Sequence, residues 1–388
     1  MNFKFINLTY VLILSLLIAS CSSDDDSSTP TNTVQKSAVI ENYANIVIAS
    51  YQEAITDAQA LETAINTFVA DPTDINFAAT KTAWRTARES YGPTEAYRFA
   101  DGPIDTGATE DIEGYLNSWP LDEVFIDYVN GDANSGIIND LTKTISKEEL
   151  VGLNGFNNSE ANVSIGYHAI EFLLWGQDAT DPSNLQPGQR PYTDFVDGGT
   201  ASNQNRRRDY LAVCADLLTD HLQVMIDQWN TNGAYRSTFL ALDQDVALKN
   251  MLKSIAELSG SELAVERMEV ALNNVNQEDE HSCFSDNTHR DIRLNLDGVA
   301  NVYRGSYGSI NGSSLEDLIA EANPTLGASV STLLATAEAA VNATGTPFDF
   351  AISDATESVK IATAIQALKD FSDELVLAAA ALGITINF

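Results

Sequence analysis

The stretch IENYANIVIASYQEAITDAQALETAINTF, residues 40–68, decides the fold. Ile40, Ala44, Val47, Tyr51, Ala54, Ala58, Leu61, Ile65 and Phe68 recur at alternating steps of four and three. Those steps bring all of them to one face of an α-helix, and the stripe is far too long for a strand. A helix with so long an apolar face needs other helices to cover it, so the stretch predicts a bundle. Asp71-Pro72 stops it, because proline removes a backbone donor and clashes with the preceding turn.

The same pattern extends outward. A second helix is expected over residues 74–97, with Phe77, Trp84, Ala87 and Tyr91 inward and a kink at Gly92-Pro93. Residues 101–120 carry Gly102-Pro103, Gly107, Gly114 and Trp119-Pro120, which read as a structured loop with short helical pieces, and a short helix follows over 121–129. Further helices are predicted over 162–175, over 203–230 with Cys214, Leu217, Leu218, His221, Met225 and Trp229 on one face, and over 236–273 with a break at Gly260. Another runs from the 278–291 segment to Tyr303. Two alanine-rich helices, 324–342 and 353–382, close the chain, with Gly383 as a stop. Between them, residues 176–203 hold Pro182, Pro187, Gly188, Pro191, Gly198 and Gly199, a long irregular stretch that suits a domain boundary. The expectation is an all-α protein of two helical-bundle domains, 38–190 and 191–388, packed against each other.

The N-terminus is a targeting segment. Lys4 is the only charge before the apolar run from Tyr10 to Ile18, and Leu17-Ile18-Ala19-Ser20-Cys21 places small residues before a cysteine. This fits a lipoprotein signal over residues 1–20, cleaved before Cys21 with lipid attached to its thiol; the alternative is an ordinary secretory signal. Lipidation would anchor the protein to a membrane without spanning it. Residues 21–37 are polar and acidic, a solvated tether. The run Asp24–Asp26 reads as a surface-export tag or as a spacer repelled from anionic headgroups.

The chain carries 21 Lys+Arg against 55 Asp+Glu, a net charge of −34. That field repels nucleic-acid phosphates and attracts cations. After Cys21 only Cys214 and Cys283 remain, too few for a disulfide scaffold.

Chemistry concentrates in three stretches. In Gly166-Tyr-His168-Ala-Ile-Glu171-Phe-Leu-Leu-Trp175, an imidazole and a carboxylate lie one helical turn apart within an apolar segment. A carboxylate there is costly unless a cation or hydrogen bonds compensate it. His168 and Glu171 are therefore candidate metal ligands, and the alternative is a hydrogen-bonded pair in a core. The stretch 277–291, QEDEHSCFSDNTHRD, is dense in ligand-type side chains and supplies Glu278, His281, Asp286 and His289 as candidate companions; Ser285 or Asp286 could instead cap the next helix. In AWRTARESYGPTEAYRF, residues 83–99, Arg88, Tyr91, Glu95 and Arg98 follow helical spacing and could line a polar cleft, with Glu95 a further companion; the alternative is a salt-bridged surface stripe. Arg206-Arg207-Arg208 could simply pair with acidic neighbours. No Gly-x-Ser-x-Gly elbow, His-Glu-x-x-His motif or glycine-rich phosphate loop is present.

These blocks, with NSWPLDEVFIDY and NRRRDYL between them, resemble the imelysin family over residues 38–385, and Gly166, His168 and Glu171 meet its GxHxxE motif. The resemblance implies two helical domains with a site at their interface near that helix. It also implies a cell-envelope location and a link to iron supply; Ser22 after the lipid site suits passage to the outer membrane, on its periplasmic or surface face. The expected function is capture of a metal ion or metal complex, iron or alternatively zinc, as an accessory to iron uptake. The family's peptidase label leaves open a metallopeptidase in which His168 and Glu171 ligate zinc and His281 or His289 completes the set, as in zinc carboxypeptidases. A third reading makes the His–Glu pair structural beside a cleft for a glycan or siderophore.

Overall fold

The structure, a computed structural model, describes residues 33–105 and 112–387. The expected signal segment, Cys21 and the expected acidic tether up to residue 32 lie outside the described residues. Eight principal helices are numbered in chain order. Helix α1 spans Lys36–Ala70 and buries every position of the predicted stripe. Each large apolar side chain so buried contributes on the order of 1.5–3 kcal/mol relative to exposure. Thr73 caps α2, Asp74–Tyr91, by accepting from the Asn76 N–H. At Gly92-Pro93 the chain tightens into a 3₁₀ turn, Gly92–Tyr97, so the expected kink is a change of helix type.

The helix bearing His168, α3, spans only Tyr167–Trp175. The expected start at 162 fails because Gly166 adopts φ +89°, which no α-helix accommodates. The remaining principal helices are α4, Gln204–Trp229, α5, Gln244–Glu257, α6, Thr288–Arg304, α7, Pro324–Asn342, and α8, Glu357–Ala381. The predicted 236–273 helix is broken earlier than expected. Ala234–Leu240 stands alone, Asp243 caps α5, and at Gly260 the helix continues in a different winding. Leu258–Glu269 is a π-helix that runs on into Val270–Asn274. The expected 121–129 helix shrinks to Glu123–Ile126.

Helix α1 packs along α2 and α4, thereby crossing the boundary expected near residue 190, and Val34–Phe388 clusters as one compact unit. Helix α8 packs along α7, α5 and the π segment. Helix α6 lies against the Gly92–Tyr97 turn, and a Cβ added at Gly298 would come within 2.2 Å of the Pro93 carbonyl oxygen. Among the described residues the only strand pair is Ser306–Tyr307 with Ile310–Asn311, and the protein is all-α. Cys214 and Cys283 are buried and free. No described helix is long and apolar enough to cross a membrane.

Candidate functional site

The glycine of the motif has a steric task. Besides its positive φ, a Cβ at Gly166 would lie 2.7 Å from the Leu116 carbonyl oxygen, so only glycine lets α3 start there. Trp84 of α2 donates its indole N–H to the Tyr167 carbonyl at 3.0 Å and anchors the same turn. His168 and Glu171 are both buried. His168 Nδ1 and Glu171 Oε2 share a hydrogen bond of 2.9 Å. Glu171 Oε1 accepts from Ser285 twice, from N–H at 3.0 Å and from Oγ at 2.7 Å. Ser285 therefore serves the carboxylate. The cap of α6 falls to Asn287, which makes no side-chain cap bond, and not to Ser285 or Asp286.

Opposite His168 stands His281. Their rings contact edge to face with centroids 4.6 Å apart, and Trp119 lies edge-on to His281 at 5.6 Å. His281 Nδ1 is bonded to Asp291 Oδ2 at 2.9 Å. Arg88 holds Asp291 in turn, with Nη2 3.1 Å from Oδ1, and donates to Asn117 Oδ1 at 2.6 Å. Each histidine thus has its Nδ1 side fixed by a carboxylate. Each also has a buried Nε2 that meets no hydrogen-bond partner.

Burial holds both imidazoles neutral. It pushes His168 down to about 3, aided by Arg88, and His281 down to about 3, aided by Arg267. Burial raises Glu171 to about 8 against the Ser285 hydrogen bond. Asp291 stays ionised: burial works to raise it, but Arg88 and His281 outweigh that and hold it far below the usual carboxylate range. The His168–Glu171 bond consequently has two forms. Either the carboxyl proton is donated to Nδ1 and Nε2 carries the ring hydrogen, or Nδ1–H is donated to a carboxylate and Nε2 presents a lone pair. The second form makes Nε2 a metal donor.

Beside His281 opens a cavity of about 330 Å³, lined among others by Arg98, Asn117, Trp119, Glu262 and Arg267. The π segment supplies Glu262 and Arg267. Arg267 donates to Glu95 Oε2 at 2.7 Å and to Asn295 Oδ1 at 2.5 Å, and Arg98 reaches Glu95 at 3.1 Å. Burial would raise the Glu95 carboxyl, yet Arg98 and Arg267 hold it well below its ordinary range.

The other expected residues lie apart from this pair. Glu278 neighbours Glu123, and burial together with that like charge raises it to about 7. Asp286 joins Asp178 and Asp349, whose ligand atoms all lie within 4.8 Å of one another, the one such grouping of three among the described residues. His289 lines a crevice of about 530 Å³ together with Asp286 and Arg85. Tyr91 packs on Tyr167 at 4.7 Å and is buried, not solvent-lining. Arg207 forms a bidentate pair with Asp127, Arg206 donates to the Ile137 and Ile138 carbonyls, and Arg208 pairs with Asp197, so the basic triplet is consumed internally. Sequence reasoning missed Asp291, Asn117, Ser285, Arg267, Asp178 and Asp349 as partners in these networks. Asp349 carried a usable signal, an acid within Phe348-Asp-Phe-Ala-Ile.

The family described as imelysin, peptidase M75, matches residues 47–375. The chain is similar to iron-regulated protein A of Synechococcus elongatus, with 27% identity over 341 residues that cover 85% of this chain and 82% of that protein. It also shares its fold with an iron-regulated protein A precursor from Parabacteroides distasonis: the crystal structure superposes with a TM-score of 0.69 at 21% identity, covering 89% of this chain and 94% of that one.

Proposed function

The chain belongs to the imelysin family, and from that premise we propose that it is a cell-envelope lipoprotein, anchored through Cys21, that captures iron as an ion or a complex beside His168 and His281. The observation that carries this reading is the pair of buried, neutral imidazoles in contact, each with an unpartnered Nε2. A buried polar nitrogen without a partner costs about 1–3 kcal/mol, and two of them on rings in contact, with His281 lining the crevice, are accounted for by a ligand. Imidazole nitrogen suits iron and zinc. Glu171 and Asp291 act behind the rings, fixing which nitrogen carries the proton.

Two nitrogens are too few for a closed protein site, so the incoming species brings donors of its own. The adjacent cavity, lined by Arg98 and Arg267 together with Glu113, Glu160 and Glu262, has a polar wall of mixed charge that can hydrogen-bond a chelate. Its walls come from both 38–190 and 191–388, which fold together as one compact unit. The iron-regulated relative and the acidic, cation-attracting composition agree with an accessory role in iron supply. A metallopeptidase would need a carboxylate free to take a proton from water. Glu171 instead has both oxygens engaged by His168 and Ser285, which favours binding over hydrolysis.

Titration calorimetry of the metal-free protein with ferrous and ferric ions, ferric citrate and zinc tests this. One site per chain is expected, weakened about 100-fold or more by His168→Ala with His281→Ala in a protein that still folds. Binding should release a proton where Glu171 gives up its own, seen as a buffer-dependent enthalpy. Absence of binding by every species, or unchanged binding in the double variant, overturns the reading. Mass spectrometry of the membrane fraction tests the anchor, which Cys21→Ser should abolish.

A further inference from the structure

The four buried acids Asp178, Glu280, Asp286 and Asp349 have no place in the histidine site. They come from three distant segments: the chain just after α3, the loop before α6, and the short helix Phe348–Ser353. An acidic cluster alone would mean little. Here, however, Asp349 is 2% exposed and Glu280 1% exposed, and both oxygens of each lack a hydrogen-bond partner; Asp178 is 3% exposed and its Oδ2 lacks one too. Arg85, whose charge acts on Asp286, spends its hydrogen bond on the Ser285 carbonyl at 3.3 Å.

We propose that Asp178, Asp286 and Asp349 hold a hard divalent cation of the calcium class, with Glu280 behind them, at a site separate from the histidine pair. The donors are all oxygen, which selects hard cations over iron or zinc. Their atoms lie within 4.8 Å of one another, a spacing that fits calcium–oxygen distances of about 2.3–2.6 Å on opposite sides of an ion. Asp286 lines the crevice of about 530 Å³ and supplies the way in. Burial, then the like charges of Asp349 and Asp178, raise Asp286 to about 8, and burial raises Asp349 to about 6. A bound dication reverses that repulsion. It would also tie α3 and the C-terminal helices to the loop that carries His281 and Ser285, and so stiffen the neighbouring site.

Chelator-treated full-length protein, titrated with calcium by calorimetry and followed by thermal melting, tests the site. The expected result is one calcium per chain and a rise in Tm of about 5 °C or more at saturation. Magnesium at the same concentration gives a smaller shift. Asp178→Asn with Asp349→Asn abolishes the calcium shift and melts, metal-free, at or above the wild type, because it removes repulsion. His168→Ala keeps the shift, so loss of iron binding and loss of calcium binding are told apart. No heat and no shift with calcium, a shift that survives the double variant, a larger effect of magnesium, or a double variant less stable than the wild type without metal would each overturn the proposal.

Discussion

Asp127 and Asp349 begin alike and end differently. Both are buried aspartates inside apolar runs, Val124-Phe-Ile-Asp-Tyr-Val129 and Phe348-Asp-Phe-Ala-Ile352. Around Asp127 the protein supplies its own cations. Arg207 donates from Nε at 2.7 Å and from Nη2 at 2.8 Å, and Arg190 pairs with the same carboxylate. Burial works to raise Asp127, but Arg190 and Arg207 outweigh it and lower it. Around Asp349 nothing comparable approaches, and burial raises it. The same local composition therefore yields a lock in one place and a vacancy of charge in the other. Arg88–Asp291 and Arg267–Glu95 belong with the first kind. Glu171 stands between them, held by serine and histidine hydrogen bonds and only at a distance by the charge of Arg88.

Graded substitutions test that ordering. The largest loss is expected for Asp127→Asn, about 3–5 kcal/mol in urea unfolding, because two buried guanidinium groups lose their counter-charge. The effect has a pH signature. The folded carboxyl of Asp127 lies below its unfolded value of about 3.9, so its stabilisation is fully present above that value and is lost as pH falls through the folded one. The gap between wild type and variant should hold at pH 7 and close in strong acid; a gap unchanged at pH 2 would break the comparison. Ser285→Ala should cost about 1–2 kcal/mol, since Glu171 loses the hydroxyl but keeps the backbone N–H. Asp349→Asn should be the mildest, within about 1 kcal/mol of wild type and on the stabilising side without metal. A loss as large as that of Asp127→Asn would place Asp349 among the locked acids after all.

Periodicity made the α1 stripe and the inward face of α4 legible, and alanine richness with the Gly383 stop marked the two closing helices, the last of which starts at Glu357 and not at 353. The GxHxxE pair was legible too, because a carboxylate in an apolar helix demands an explanation. That argument applies equally to Asp127 and Asp349, where the reading did not use it. Partners were harder to see. Nothing in the local sequence joins Arg88 to Asp291, or Glu171 to Ser285, since those bonds depend on how helices far apart in the chain pack. The winding of Leu258–Glu269 was hidden for a related reason: Gly260 marks a weak point in the helix but not the kind of winding, and a wider turn shows only in which side chains meet.

That winding has a consequence for how the protein tolerates length changes. Successive α-helical residues advance by about 100° around the axis. In a π-helix bonds run from i to i+5, so the stretch rotates everything downstream relative to a plain α-helix of equal length. Deleting one residue near Gly260 and letting the helix rewind would swing Arg267 away from Glu95 and Asn295 while leaving every amino acid of the network in the chain. Chemistry at the cavity wall is thus stored partly as angular phase.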